Sequence, residues 1–436
     1  MFRINILLFA LFFTGIFNAQ ILNGPMIGHV THHEATLWVQ TSKKEHVEFA
    51  YRVLGSNQKW NYTPMQVTHQ NEAYVCKSIL GNLMAGIQYE YRVVLNGKIQ
   101  APIGVQSFET SAQWAYRTEP KDFTFALGSC TYINEEATDR NGKPYGGAYN
   151  IFEQIANQSP NLMLWLGDNV YLRESDWTSK SGIEHRYTHT RNIKEMQRLL
   201  ANCPQYAIWD DHDFGPNNSD GSFINKALTK QAFDLFWANP SFQPEGLAGI
   251  TNQFDWSDCH FFLLDNRYYR APNDRKDGER TILGKEQLEW FKNALLNSPA
   301  TFKFVAIGGQ FLNTAPVFEN YSANGYAKER QEIIDFIYLH QIKNVIFLTG
   351  DRHHSELSVL RSENNPTIYD LTISPLTSGV HDASKEENTL RVENSHVASR
   401  NFGIVRVFGE GKNRSVEIKV LDADGKQFWV EEITSE

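Results

Sequence analysis

The segment Leu162-Met-Leu-Trp-Leu-Gly-Asp-Asn-Val-Tyr171 runs five apolar residues into a glycine, a carboxylate and, three positions on, a phenol. Its apolar part has strand length, and its end carries two groups able to ligate a metal. The same grammar recurs along the chain. Phe123-Thr-Phe-Ala-Leu127 runs into Gly-Ser-Cys130, and Tyr206-Ala-Ile-Trp209 into Asp210-Asp-His-Asp213. Phe261-Phe-Leu-Leu264 runs into Asp265, and Val345-Ile-Phe-Leu-Thr349 into Gly350-Asp-Arg-His353. Asp and Gly commonly form turns after strands, so one such ending carries little weight. Five in series, with Cys, Asp, Tyr and His among them, point to one crevice, because layered α/β folds gather ligands at the carboxyl ends of their strands.

The donors divide into two sets. Cys130 thiolate, Tyr171 phenolate, His353 imidazole and Asp168 carboxylate make a mixed S/N/O set suited to a transition metal such as Fe3+. Asp211 and Asp351, with Asp168 bridging, make an all-oxygen set better suited to Ca2+. Zn2+, Mn2+ and Mg2+ are alternatives. Packing these carboxylates together without cations would be strongly unfavourable, so two metal sites are expected. Arg267, after a strand end, is a candidate to pair with a phosphate oxygen through two N–H donors, an ion pair with Asp265 or another acid being the alternative. Asn217 and Asn218 are candidates to complete the oxygen-rich site or bind phosphate, against simple turn chemistry at Gly215-Pro216. Gln310, after Phe304-Val-Ala-Ile307, and His354 stay outside the metal set, His354 pointing away or supporting its neighbour.

Working outward, residues beyond Lys121 alternate apolar runs with amphipathic segments. In 284–296, Leu288, Phe291 and Leu295 share one helical face, so a mixed α/β domain is expected. The last fifty or so residues return to strands that complete a sheet of this domain, whereas 172–202 and 316–328 read as loops. From 35 to 108 the period is two, in Ala35-Thr-Leu-Trp-Val-Gln40, Val47-Glu-Phe-Ala-Tyr51, Tyr74-Val-Cys-Lys-Ser-Ile79 and Tyr89-Glu-Tyr-Arg-Val-Val94, which suggests a small β-sandwich. Leu83-Met-Ala-Gly-Ile-Gln-Tyr89 resembles the corner turn of fibronectin III-like domains, and Asn96-Gly97 is a hairpin signal. The polar stretch 111–120 reads as a linker. The expected division is a signal peptide at 1–19, a β-sandwich at 20–116 and a catalytic domain at 117–436.

A length of 436 residues already exceeds one hydrophobic core. The balance of 41 basic against 50 acidic residues, a formal −9, offers no footprint for nucleic acid or an anionic membrane, so an anionic substrate must be met by Arg or bound metal. Four scattered cysteines with no C-x-x-C spacing exclude a disulfide scaffold, and Cys76, Cys203 and Cys259 read as small buried hydrophobes. At the start, Met1-Phe-Arg3 precedes an apolar run to Phe17 and then Asn18-Ala-Gln20, the pattern of a cleaved secretory signal. That run is shorter than the about 20 residues a bilayer crossing needs. A periplasmic or secreted monomer, not an integral membrane protein, is expected, with metal loaded after export.

Gly128-Ser-Cys130, Gly167-Asp-Asn-Val-Tyr171, Trp209-Asp-Asp-His-Asp213, Asp265-Asn-Arg267, Arg280-Thr-Ile-Leu-Gly-Lys-Glu-Gln287, Gly325-Tyr-Ala-Lys-Glu-Arg330 before the penultimate helix, and Gly350-Asp-Arg-His353 together resemble the PhoD-like alkaline phosphatases, a branch of the calcineurin-like metallophosphoesterases. The resemblance runs from about 123 to 378. It implies a four-layer α/β/β/α catalytic domain after an N-terminal β-sandwich, and hydrolysis of phosphate mono- or diesters by in-line attack of a metal-bridging hydroxide. Carried over by position, Cys130, Asp168, Tyr171 and His353 hold the iron-like metal, and Asp168, Asp211 and Asp351 the calcium-like one. His212 contacts the phosphate or protonates the leaving group. Asp211 stands where the wider superfamily has Asn, and Asp351 where it has His, and both changes favour hard oxygen ligation. The alternative from another class is a secreted binding or adhesion protein with a degenerate phosphatase domain and structural Ca2+.

Overall fold

The structure, a computed structural model, describes residues 20–278, 280–317, 320–322 and 325–436. The expected signal segment 1–19 lies outside the described residues, as do 318–319 and 323–324 within the expected 316–328 loop.

The N-terminal part is two antiparallel sheets. One has the order Ile21–Val30, Ala35–Thr41, Val75–Leu80, and the other is built on the pairing of His46–Val53 with Gln88–Leu95. Leu37 and Val39 point into the core between them with Phe49, Tyr91 and Val93. Trp38, on the opposite face, joins the core of the following layers, where its indole donates to the Leu235 carbonyl at 2.9 Å. Both faces of this strand are therefore covered, and none of its residues is exposed. The first strand escaped the alternation pattern because Asn23-Gly-Pro25 interrupts it. Its pairing shifts register on both sides of that tripeptide. Gly24 has φ +87°, and a Cβ there would stand 3.2 Å from the Trp38 ring. As the sequence suggested, the Tyr89 hydroxyl accepts from the Met84 N–H at 2.9 Å. Asn96 and Gly97, at φ 49° and 75°, make the two-residue turn into Lys98–Ile99.

Beyond residue 122 two six-stranded sheets pack face to face. In the first, Gln205–Ile208, Leu162–Leu166 and Phe123–Gly128 run parallel, and Asn401–Glu410, Asn413–Asp422 and Gln427–Thr434 extend the sheet antiparallel, as expected of the C-terminal strands. In the second, Cys259–Leu263, Phe302–Ala306, Val345–Thr349 and Ile368–Thr372 run parallel, flanked by antiparallel Asn252–Trp256 and Glu356–Leu360. Phe125 meets Phe261 and Phe304 between the sheets, with ring centroids 5.3 and 5.0 Å apart. Helices Lys285–Asn297 and Ala327–Leu339 cover the second sheet through Leu288, Phe291, Leu295, Ile333 and Ile337. Ile151–Asn157 and Lys194–Asn202 pack on the first through Phe152, Ile155, Leu199 and Leu200. This is the α/β/β/α order. Layers on both faces bury every residue of Leu162–Leu166 and Val345–Thr349, at about 2 kcal/mol for each fully buried large apolar side chain.

Two expectations need correction. Most of 172–202 is helix, Lys180–Arg191 and Lys194–Asn202. The first of these hides its face from a hydrophobicity pattern because Arg186 and Arg191 are among its buried residues, Arg186 paired with Asp176 and Glu135, and Arg191 lying over Trp237 at 4.3 Å. The Gly325–Arg330 motif leads into Ala327–Leu339, the last helix among the described residues rather than the penultimate one. No helix among the described residues is long and apolar enough to cross a membrane.

Tyr89→Phe removes the hydroxyl that ties the corner turn and should cost about 1 kcal/mol. A urea midpoint equal to that of the wild type would show the tie to be idle.

Candidate metal centre

Parallel strands bring their carboxyl ends to one edge, and the site is built there. Cys130 and Asp168 follow adjacent strands, where the Cys130 N–H donates to the Gly167 carbonyl at 3.2 Å and the Thr131 N–H to the Asp168 carbonyl at 2.7 Å. Asp211 follows the third strand, in a four-residue helix capped by Asp210 and Asp213. Asp351 and His353 arrive from the second sheet. Gly350 allows that approach, since a Cβ there would stand 2.6 Å from the Ser129 Cβ and 3.0 Å from the Leu166 carbonyl. Cys130, Asp168, Asp351 and His353 all take left-handed backbone, with φ of 61°, 51°, 67° and 55°. Each such non-glycine residue costs roughly 1 kcal/mol or more and persists only where its surroundings dictate it, as at functional sites.

The side chains converge. The donor atoms of Cys130, Asp168 and His353 lie within 4.8 Å of one another, as do those of Asp168, Asp211 and His212, and those of Asp210, Asp211 and Asp351. Asp168 belongs to the first two groups and Asp211 to the last two, so the three form one chain of donors. Tyr171 enters through its hydroxyl, 3.2 Å from His353 Nε2. His353 Nδ1 lies 2.7 Å from the Gly379 carbonyl, which requires Nδ1 to carry the hydrogen and leaves Nε2 a lone pair, the tautomer a metal-ligating histidine needs. Asp210 was absent from the ligand set drawn from sequence. Its Oδ1 accepts from Arg267 and Asn266, but its buried Oδ2 has no hydrogen-bond partner among the described residues. Its place as the first acid of the Asp210–Asp213 run was the available signal. An orphaned carboxylate oxygen beside a mixed thiol, imidazole and carboxylate set fits bound cations.

Other candidates are placed elsewhere. Asp265 is a turn residue: it accepts from the Trp209 indole at 2.8 Å and from the backbone N–H groups of Arg267, Tyr268 and Ile250. Arg267 is 2 % exposed; its Nε donates to Asp210 and another of its nitrogens lies 3.8 Å from Asp211, an ion pair with acids of the cluster rather than with Asp265. Asn218 reaches the site through its backbone N–H, which donates to Asp211, while the Asn217 side chain is exposed. Gln310 and His354 turn away into a buried network around Glu356, with Gln310 Nε2 2.9 Å and His354 Nε2 3.7 Å from its carboxylate.

Burial, and then the charges of Asp211, Asp210, Asp351 and Asp213, push the Asp168 carboxyl well above its ordinary range. Burial and then Asp168 raise the Cys130 thiol and the Tyr171 phenol in the same way. Burial lowers His353 to about 4. Burial would also raise Asp211, but Arg267, His212 and the Asn218 N–H outweigh it and hold that carboxyl well below the usual range. The metal-free cluster thus retains protons that a cation displaces. A carboxyl raised on folding stabilises the fold below its unfolded pKa of about 3.9 and costs stability as pH rises. Metal-free Asp168→Asn should therefore melt above metal-free wild type at pH 8, with the gap narrowing towards pH 4; an equal gap at both would contradict the crowding.

The family model for PhoD-like phosphatases matches residues 125–417, and that of a domain of unknown function (DUF7800) matches residues 18–113. Alkaline phosphatase D of Bacillus subtilis (strain 168) is 26% identical over an alignment of 328 residues that covers 63% of this chain and 54% of that protein, so the chain spans about half the length of the curated relative it matches. A solved structure of PhoD superposes with a TM-score of 0.77 at 18% identity, covering 96% of this chain and 94% of that one. Purple acid phosphatase PPD1 from yellow lupin (Lupinus luteus) seeds superposes with a TM-score of 0.68 at 12% identity, covering 94% and 74%. At these identities the two structures speak for the fold. With a family model spanning more than half of its length, the chain belongs to the PhoD-like phosphatases.

Proposed function

We propose that the protein is an exported, metal-dependent phosphoesterase of the alkaline phosphatase D type that hydrolyses phosphate mono- or diesters by in-line displacement at phosphorus. Residues 117–436 are the catalytic unit and 20–116 an attached β-sandwich; export to the periplasm or beyond rests on the 1–19 segment. The observation that carries this reading is the convergence of a thiol, a phenol, an imidazole and several carboxylates on one strand edge. In it, Cys130, Asp168, Tyr171 and His353 hold an Fe3+-like cation, and Asp168, Asp211 and Asp351 a Ca2+-like one, with Asp210 Oδ2 available to the second. Bound there, two cations supply positive charge to the phosphoryl oxygens and lower the pKa of water.

The chain's own groups hold and orient. Asp168 serves both clusters, and its Oδ1 accepts from the His212 N–H at 3.2 Å. The His212 ring lies 4.3 Å from that of Tyr171. Burial, only partly opposed by Asp211 and Asp210, lowers its pKa. His212 contacts a phosphoryl oxygen or gives a proton to the leaving group. Arg267 pairs with Asp210 and lies 3.8 Å from Asp211, and it and the exposed Asn217 are the candidate phosphate contacts. A structural Ca2+ protein in the same fold would have no use for a buried thiol and imidazole beside the carboxylates, because calcium takes oxygen ligands. That favours the enzyme over the binding protein.

Asp168→Ala should lose activity by about a thousandfold or more together with its bound metal; an active, metal-free variant would sink the assignment. Cys130→Ala should lose chiefly the iron-like metal. Elemental analysis finding iron at the wild-type level would contradict the first ligand set.

A further inference from the structure

Tyr145 stands at the mouth of the cluster, outside the ligand sets. Its ring meets that of Tyr132 edge-on at 4.9 Å and lies 6.4 Å from Tyr171 and 6.0 Å from the His353 ring. It is nonetheless 44% exposed, and so is Val380 at 46%, next to the Gly379 whose carbonyl takes the His353 hydrogen. Aromatic surface left open beside a polar cluster is the composition of a ligand pocket, where apolar walls surround a few placed polar groups.

The hydroxyl adds a second observation. The Tyr145 oxygen lies 3.1 Å from His353 Nδ1, whose hydrogen already points at the Gly379 carbonyl 2.7 Å away. Two donors cannot share one line, so the Tyr145 oxygen only accepts from that side and its own hydrogen is directed elsewhere. Tyr132 offers no such hydrogen, because its hydroxyl donates to Asp139 at 2.8 Å. Tyr145 is also held in place. Arg400 donates to the Tyr145 carbonyl at 3.2 Å and to the Ser378 carbonyl at 3.0 Å, clamping the two loops together. A Cβ on Gly379 would stand 2.4 Å from the Tyr145 ring, so glycine is what lets the ring lie there. A donor fixed before the ligand arrives binds without an ordering cost.

We propose that Tyr145 is a substrate-contacting residue: its hydroxyl donates to an oxygen of the phosphate ester, and its ring with Val380 forms the wall for the alcohol portion, favouring phosphate esters of aromatic or flat apolar alcohols. The proposal rests on the phosphoesterase reading above, and its test includes a readout that does not.

Metal-loaded full-length protein is titrated calorimetrically with phenylphosphonate and with methylphosphonate, which share a headgroup and resist hydrolysis. Wild type should bind the phenyl probe about tenfold more tightly. Tyr145→Phe, which keeps the ring and the packing, should weaken both probes by about tenfold or more while retaining the preference. Tyr145→Ala should lose the preference as well, and metal content should be unchanged in both variants. Equal binding of the two probes by wild type, or unchanged affinities in Tyr145→Phe, would overturn the proposal. So would loss of metal in Tyr145→Phe, which would make Tyr145 a support for His353 alone. Parallel assays on phenyl phosphate and ethyl phosphate separate the two levels: a wild type that binds with the expected preference but cleaves neither ester overturns the phosphoesterase reading and upholds the Tyr145 contact.

Discussion

Mutual repulsion of largely buried carboxylates is the constraint around which this molecule is organised. Asp168, Asp210, Asp211, Asp213 and Asp351 crowd the edge where the two central sheets meet. The chain neutralises part of that charge itself. Arg267 pairs with Asp210 and faces Asp211. Asp213, pushed up to about 8 chiefly by burial, accepts backbone N–H groups from Asn169, Val170 and Asp210. What these do not cover, centred on Asp168, is left for cations, whose attraction is strong in the same low dielectric that makes the bare cluster unfavourable.

Holding such a cluster requires a rigid frame. Strands buried on both faces fix where each ligand-bearing turn begins, and left-handed residues aim the side chains within a few bonds of the strand end. At the start of the edge strand Glu356–Leu360 of the second sheet, Glu356 gathers Gln310, Asn313, Asn388 and Arg391 into a buried polar network just after the loop carrying His353 and His354. The N-terminal sandwich is part of the frame. Trp38 packs on Phe236, and Lys77 donates to the Trp237 carbonyl at 2.8 Å, satisfying a carbonyl just past the helix Lys226–Phe236.

Much of this was legible from residue order. The strands before Gly128, Gly167 and Gly350 announced themselves by apolar runs of the right length, and the turn residues after them by chemistry that a bland turn does not need. Tyr89 and Asn96-Gly97 were legible for the same reason, since a corner tie and a two-residue hairpin are local. Helix Lys180–Arg191 was not, because its buried face includes Arg186, paired with acids, and Arg191, lying over Trp237. Asp265 looked like a ligand and is a turn acceptor, since a carboxylate after a strand satisfies both descriptions until its neighbours are known. The pairing of Asp210 with Arg267 was not legible for the same reason: it joins residues 57 positions apart.

Order along the chain by itself therefore determined a mixed α/β part after a β-rich one, the strand ends that carry donors, and the chemical kinds of donor, because periodicity and local turn chemistry are properties of neighbouring residues; the four-layer order came only with the family resemblance. Only the tertiary structure decided which donors share one centre, which acids are spent on arginine or backbone, and that Tyr145 stands over the site. Those outcomes depend on two sheets meeting at a common edge, where Gly350 admits Ser129 to within contact and distant charges set one another's protonation.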